Sequence, residues 1–69
     1  MTNEECLVMQ NEGTKDIVVF THAFNDDGDE IYTYANKVVL LALSYQDYCD
    51  MWNYYDSLNY KVIMHTQKA

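Results

Sequence analysis

The residues of this chain that could do chemistry are few and far apart. They are two cysteines and two histidines, Cys6, Cys49, His22 and His65. A cysteine beside a histidine can form a reactive thiolate, and the four side chains together could bind zinc. Structural zinc ligands usually come as closely spaced pairs, and the chain has no such pair. We therefore expect both imidazoles to lie on strands, with no metal and no cofactor bound.

Other catalytic motifs are also missing from the sequence. Ser44 and Ser57 are the only serines, and neither lies in a GxSxG turn. The chain has no phosphate-binding loop, no HExxH motif and no dinucleotide fingerprint. The acids of residues 26–30 could hold calcium weakly, but they lack the ligand order of an EF-hand loop. We therefore expect no catalytic residues and a protein that is not an enzyme.

Length and composition restrict the class of protein further. The chain has 69 residues and a mass of 8.1 kDa, which allows one domain over residues 1–69. A compact chain of this length should be about 28 Å across and have a thin core. Eleven Asp and Glu face four Lys and no Arg, for a net charge of −7. That balance excludes nucleic acid and anionic membrane surfaces as direct partners.

The ends and the cysteines indicate a compartment. Residues 1–5 are acidic and no long apolar region follows them, so we expect no signal peptide. The longest aliphatic run, residues 38–43, is too short to span a bilayer. We expect a cytoplasmic protein, in which Cys6 and Cys49 stay reduced and pack as small apolar side chains. A single disulfide between them is the alternative.

The pattern of apolar residues predicts an α+β fold. One helix should pack on a small antiparallel sheet of three to five strands, in the order β-β-β(β)-α-β. The strands are expected at residues 6–10, 16–24, 30–43 and 60–64. The third could be one bent strand or two strands joined at Asn36-Lys37. On the second strand, Val18 and Phe20 should share a face, opposite Ile17 and Val19.

The predicted helix runs from residue 45 to about residue 58. Ser44 is its expected N-cap, with Asp47 as a weak capping-box partner. The residues at helical spacing that should face the sheet are Tyr48, Met51, Trp52, Tyr55 and Leu58. Seven tyrosines are too many to bury with every hydroxyl bonded, so some should be exposed. The candidates for exposure are Tyr45, Tyr54, Tyr55 and Tyr60.

The acids occur in two groups that could form a binding surface. Four of residues 26–30 are carboxylates, and three more lie on the predicted helix. Solubility alone would explain a net charge, but self-repulsion destabilises a thin-cored domain and no Arg is present to neutralise the acids. Duplex DNA carries one charge per about 1.7 Å, so the charge is of the order that DNA presents over the same length. The acids predicted to bind a partner are Asp26, Asp27, Asp29, Glu30, Asp47, Asp50 and Asp56.

Several short motifs are shared with a known family. They are Asp26-Asp27-Gly28, Tyr32 and Tyr34, Leu41-Ala42-Leu43-Ser44, and Asp47-Tyr48. In these, the chain resembles the uracil-DNA glycosylase inhibitor of Bacillus phages, whose members are acidic, have a small sheet with one helix, and form dimers that mimic DNA. The resemblance implies that Tyr48 engages the enzyme's DNA-intercalating loop and that Trp52 lies at a homodimer interface. Cys49 stands where the family carries an acid.

More broadly, the chain is similar to the small acidic host-takeover proteins of large phages, which inhibit nucleoid proteins, restriction enzymes and CRISPR nucleases. The resemblance therefore implies a phage-type DNA mimic that acts in the cytoplasm of the host bacterial cell and blocks the DNA-binding surface of a host DNA-binding protein. A histone-like nucleoid protein and uracil-DNA glycosylase are the candidate targets. Two alternatives remain: an interaction module that regulates a host enzyme through a tyrosine-rich surface, and a small thiol or metal protein.

Overall fold

The computed structural model describes residues 4–68, with side chains up to residue 67. The elements in chain order are β1 (Glu4–Asn11), β2 (Ile17–Phe24), β3 (Glu30–Ala35), β4 (Leu40–Leu43), α1 (Tyr45–Ser57) and β5 (Tyr60–Lys68). The strands form one antiparallel sheet in the order β4-β3-β2-β1-β5. The predicted α+β class, with one helix on an antiparallel sheet, is confirmed. The expected absence of a signal peptide rests on residues 1–5, of which the first three lie outside the described range.

The first and last strands are longer than the apolar pattern predicts. β5 pairs with β1 along its whole length, from Tyr60 opposite Asn11 to Lys68 opposite Glu4. Backbone hydrogen bonds along this ladder hold polar residues that an apolar pattern does not mark as strand. The register shifts between Val8 and Met9.

The long third segment is two strands, which was one of the two options left open. Asn36 makes the turn between them: its Oδ1 accepts from the backbone N–H of Val38 at 2.8 Å and of Val39 at 2.9 Å. The backbone N–H of Asn36 also donates to the carbonyl of Val39 at 3.0 Å. An Asn side chain that bonds the backbone two or three residues ahead reverses the chain locally.

Helix α1 begins and ends at defined hydrogen bonds. Ser44 is the N-cap, and its side chain accepts from the N–H of Asp47 at 3.1 Å, as predicted. The helix stops at Leu58, because Asn59 takes a left-handed conformation with φ 70°. Asn11 Nδ2 then donates to the carbonyl of Leu58 at 2.9 Å, which ties the helix end to β1. Leu58 is exposed, so its predicted place on the buried helix face is wrong.

The core lies between α1 and one face of the sheet. Its buried members are Met9, Val18, Phe20, Tyr34 and Tyr60, against which the half-buried Tyr48, Met51, Trp52 and Tyr55 of α1 pack. Phe20 is fully buried, with ring centroids 5.4 Å from Tyr34 and 5.7 Å from Tyr48. Tilted and edge-on aromatic contacts at these distances each add stability beyond the area that they bury. Val18 and Phe20 thus share one face of β2, as predicted, and the structure shows that this face is the buried one.

The molecule is longer than a compact sphere of this mass. Its principal extents are 40 × 21 × 20 Å, so its longest dimension exceeds the expected diameter of about 28 Å. Its radius of gyration is 12.3 Å. The elongation follows from the strands, since the nine residues of β5 span about 30 Å. Within the described residues, no helix is long and apolar enough to cross a membrane.

The buried tyrosines predict an alkaline limit of stability. A hydrogen bond from Tyr60 Oη to Asp16 Oδ2, 2.7 Å long, together with burial, raises the pKa of Tyr60 to about 12. Burial and the nearby Glu5 carboxylate raise the pKa of Tyr48 to about 12. Because these pKa values exceed that of an unfolded tyrosine, about 10, the stabilisation is complete below pH 10 and is lost as the pH rises towards 12.

We therefore expect the free energy of unfolding, measured in urea at pH 8 to 12, to fall steeply only above pH 10. The variant Tyr60→Phe should be less stable at pH 8 by about 1 kcal/mol, because it loses the hydrogen bond to Asp16. Its unfolding free energy should also depend less on pH above 10. A wild-type stability that stays flat to pH 12 would contradict the role of these hydroxyls.

Candidate functional site: an acidic surface on the helix side

The two faces of the sheet differ in charge. We call the face covered by α1, together with α1 itself and the β2–β3 loop, the helix side, and the uncovered face the open face. Helix α1 carries Asp47, Asp50 and Asp56 and no basic residue. The sheet residues Glu5 and Glu30 also lie on the helix side, because they alternate with residues that face away from it. The helix side is therefore a surface of one sign.

The β2–β3 loop holds three carboxylates in a fixed turn. Asn25 Oδ1 accepts from the backbone N–H groups of Asp27 and Asp29, each at 2.9 Å. Gly28 donates to the carbonyl of Asn25 at 3.0 Å and has a φ of 84°, which favours glycine. The side chains of Asp26, Asp27 and Asp29 are exposed. One amide side chain thus fixes the turn from which three carboxylates project into solvent.

Glu30 links this loop to the aromatic residues of the helix side. Tyr32 Oη donates to Glu30 Oε2 at 3.2 Å, and Glu30 Oε1 lies 3.4 Å from His22 Nε2. His22 stacks flat on Tyr32, with ring centroids 4.4 Å apart and 3° between the planes. Burial and the bond to Glu30 raise the pKa of Tyr32. His22 Nε2 is buried and has no hydrogen-bond partner among the described residues.

The first turns of α1 lie at the same end of the sheet as the loop. Leu43, just before the helix, pairs with Tyr32 across β3 and β4. The ring of Tyr48 then lies 4.8 Å from that of Tyr32. Asp47 is therefore brought to the end of the molecule that carries residues 26–30, whereas Asp50, the sixth of the 13 helix residues, lies near the middle of α1. Asp47 also lies in the first helical turn, where a negative charge interacts favourably with the helix dipole.

Asp56 is not part of this group. It follows Asp47 by nine residues, which places it about 14 Å further along the helix axis and on the opposite side of the helix. The end of α1 contacts the other end of the sheet, where Asn11 bonds the carbonyl of Leu58. Of the seven predicted acids, the structure thus brings five to one end, leaves Asp50 near the middle of α1 and leaves Asp56 at the other end.

Sequence reasoning missed one acid of this surface. Glu5 lies opposite His22 in the β1–β2 ladder, on the helix side, and its Oε2 is 3.1 Å from His65 Nε2. The signal was present in the alternation of Glu5, Leu7 and Met9, of which the latter two pack on the helix side. It was overlooked because the predicted first strand began one residue later.

The two aromatic residues predicted to meet partners are half-buried. Tyr48 and Trp52 pack against the core cluster, and both line a cavity of about 390 Å³ that Glu5, Leu7 and His65 also line. Their predicted roles, at the partner for Tyr48 and at a dimer interface for Trp52, stay predictions. The helix tyrosines that are open to solvent are Tyr45 and Tyr54, while Tyr55 is half-buried and Tyr60 is buried.

The cysteines and histidines do not form one site. Cys6 lies on the open face and Cys49 on α1, on the other side of the sheet, and both thiols are free. In residues 4–67, no three side chains of His, Cys, Asp or Glu converge as metal ligands would. The geometry of the described residues therefore offers no support for the thiol or metal alternative.

The role of Asn25 can be tested without changing the charge of the loop. Asn25→Ala removes the oxygen that accepts from Asp27 and Asp29, so both amides should exchange with solvent more than tenfold faster. Hydrogen exchange followed by NMR measures this directly. The Asn36→Ala variant, which changes the next hairpin, is the control and should leave exchange at Asp27 and Asp29 unchanged. Unchanged exchange at Asp27 and Asp29 would show that the side chain does not hold the loop.

Comparison with known proteins gives no relative on which a function could rest. No family model, no curated protein and no solved structure matches this chain. These comparisons therefore assign no function to the acidic surface.

Proposed function

We propose that this protein is a phage-type DNA mimic, whose acidic helix side occupies the DNA-binding surface of a host DNA-binding protein. The observation that carries the proposal is the separation of charge. Five predicted acids and Glu5 lie at one end of the helix side, and α1, which carries Asp50 and Asp56 further along its axis, has no basic residue. Of the four lysines, Lys15 and Lys37 lie in turns, and Lys61 and Lys68 lie on the edge strand β5.

Most of the acids described by the structure have no basic partner. The exceptions are Glu30, which lies within 4.0 Å of the His22 imidazole, and Glu5, which lies within 4.0 Å of the His65 imidazole. No lysine side chain described by the structure lies within 4.0 Å of a carboxylate oxygen. Charges that the chain does not neutralise are available to attract a basic surface over several ångströms.

The density of charge is comparable with that of DNA. A duplex of the same 40 Å length carries about 24 charges, of which about half face any one side. The net charge of −7 is within a factor of two of that half. A basic groove that binds this surface would gain the same kind of attraction and counterion release that it gains from DNA.

Two target classes follow from the family resemblance of the sequence. A histone-like nucleoid protein and uracil-DNA glycosylase both hold duplex DNA on a basic surface, so both would be open to this form of competition. For the glycosylase, the resemblance assigns Tyr48 to the DNA-intercalating loop of the enzyme. Because Tyr48, in the first turn of α1, is half-buried against Tyr32, it would contact that loop with the part of its side chain that stays exposed.

A second candidate function is a non-mimic interaction module that regulates a host enzyme. The observation that favours it is the exposure of Tyr45 and Tyr54 on α1, at 64% and 58%. Exposed tyrosines are common anchors of protein interfaces. Binding of this kind would depend little on salt, whereas binding by the acids would weaken as salt screens them.

The loop acids provide the direct test. The fourfold variant Asp26→Asn, Asp27→Asn, Asp29→Asn and Glu30→Gln should bind a purified histone-like nucleoid protein or uracil-DNA glycosylase at least about tenfold more weakly in low salt. Fluorescence anisotropy of the labelled protein measures the affinity. The thermal midpoint should not fall, because the variant has less self-repulsion.

A matched pair of single variants controls for net charge. Asp27→Asn and Glu12→Gln each remove one exposed charge from a turn, at opposite ends of the sheet. Asp27→Asn should weaken binding and reduce its salt dependence, and Glu12→Gln should have a smaller effect. Equal effects would attribute binding to overall charge, and an unchanged fourfold variant would remove the loop from the site.

A further inference from the structure

The open face of the sheet is apolar from one edge to the other. One row of directly paired residues crosses all five strands and consists of Met64, Val8, Val19, Ala35 and Leu40. Every side chain in this row is apolar. Leu40 is 74% exposed and Met64 is 52% exposed, so the row ends in large apolar side chains that are open to solvent.

The neighbouring row on the same face consists of small, uncharged side chains. It contains Thr66, Cys6, Thr21, Thr33 and Ala42, again one residue from each strand. The hydroxyls of Thr21 and Thr33 are hydrogen-bonded to each other, so they need no further partner. A second surface can therefore pack on this row without leaving those two polar groups unpaired.

Charge is confined to the margins of this face. Among the residues whose side chains the structure describes, Glu4 and Lys61 are the charged residues of the strands that point to it by alternation, and each lies near an end of the two strands at the β5 edge. The acids of the β2–β3 loop and α1 lie at one end or on the helix side. A chain with a net charge of −7 repels its own copy, and this face is where two copies meet with the least repulsion.

The area of the face is sufficient for a dimer. Five strands about 4.8 Å apart cover a width of about 24 Å, and strands of four to nine residues, about seven on average, cover about 23 Å. Each copy thus presents about 500 Å², and two copies would bury about 1,000 Å² together, which is the lower bound for a specific interface. Sheets pack face to face in this way about 10 Å apart.

We propose that the open face is a homodimer interface, in which two copies pack sheet against sheet across a two-fold axis. Such an interface is self-complementary, since each copy contributes the same apolar row. The two helix sides then face away from each other, and both acidic surfaces stay accessible. The interface does not involve Trp52, which lies on the helix side, so this dimer differs from the one that the sequence resemblance implies.

The test is the mass in solution, measured by sedimentation velocity over a range of protein concentrations. The wild type should approach twice 8.1 kDa as concentration rises. Added salt should strengthen the dimer, because it screens the repulsion between acids. A mass of 8.1 kDa at every concentration and salt overturns the proposal, and would leave the face to a different partner.

Two adjacent leucines of β4 give a matched pair of variants. Leu40 points to the open face, while Leu41 pairs with Tyr34 and points to the helix side, and both are exposed. Leu40→Glu should abolish the dimer, and Leu41→Glu should leave it intact. If both variants dissociate the dimer, the contact is the free edge of β4 rather than the open face. If neither does, the interface lies elsewhere; either result overturns the proposal.

The cysteines give a measurement on the unmodified chain. Cys6 lies on the open face and Cys49 lies on the helix side. As protein concentration rises, alkylation of Cys6 should slow several-fold while that of Cys49 stays constant. Protection of Cys49 alone, or of neither thiol under conditions where the mass doubles, would place the interface on another surface.

Discussion

The packing of a single helix over one face of a five-stranded sheet is the constraint on which the rest of this structure depends. One helix of 13 residues can cover only one face of such a sheet. The chain therefore has one layered side, with a core, and one bare side. Phe20 lies at the centre of the core. Its ring centroid is about 6 Å or less from those of Tyr34, Tyr48 and Tyr55, so the strands and the helix pack against the same ring.

Tyrosine rings fill much of the core, which in larger domains is filled by aliphatic side chains. Each of the buried tyrosines places an apolar ring in the core and a hydroxyl at its margin, where that hydroxyl finds a partner. Tyr34 and Tyr55 bond each other at 2.7 Å, Asn36 donates to Tyr34 at 2.9 Å, and Tyr60 donates to Asp16. This arrangement lets a chain with a thin core bury these three tyrosine rings without leaving their hydroxyls unpaired. Because tyrosines fill the core, the short charged side chains can lie at the surface.

Local signals in the sequence were sufficient to predict which elements form. The features that these signals could not predict depend on long-range pairing. The Ser44 cap, the alternation in β2 and the turn at residues 25–29 each follow from side-chain chemistry within a few residues. The length of β5 depends instead on its pairing with β1, which begins more than 50 residues earlier. The place of Asp56 likewise depends on the path of the helix across the sheet, and the apolar open face appears only once five strands are set side by side.

The separation of charge between the two faces leads to the central claim, that the helix side substitutes for DNA. The most direct measurement is a capture from bacterial lysate with this protein as bait, at low and raised salt, with duplex DNA as competitor. The account predicts recovery of a basic DNA-binding protein that both salt and DNA displace. Salt screens the electrostatic contacts between the two proteins, and DNA competes for the same basic surface. Recovery of a partner that neither salt nor DNA displaces would contradict it, and would assign binding to the exposed tyrosines of α1.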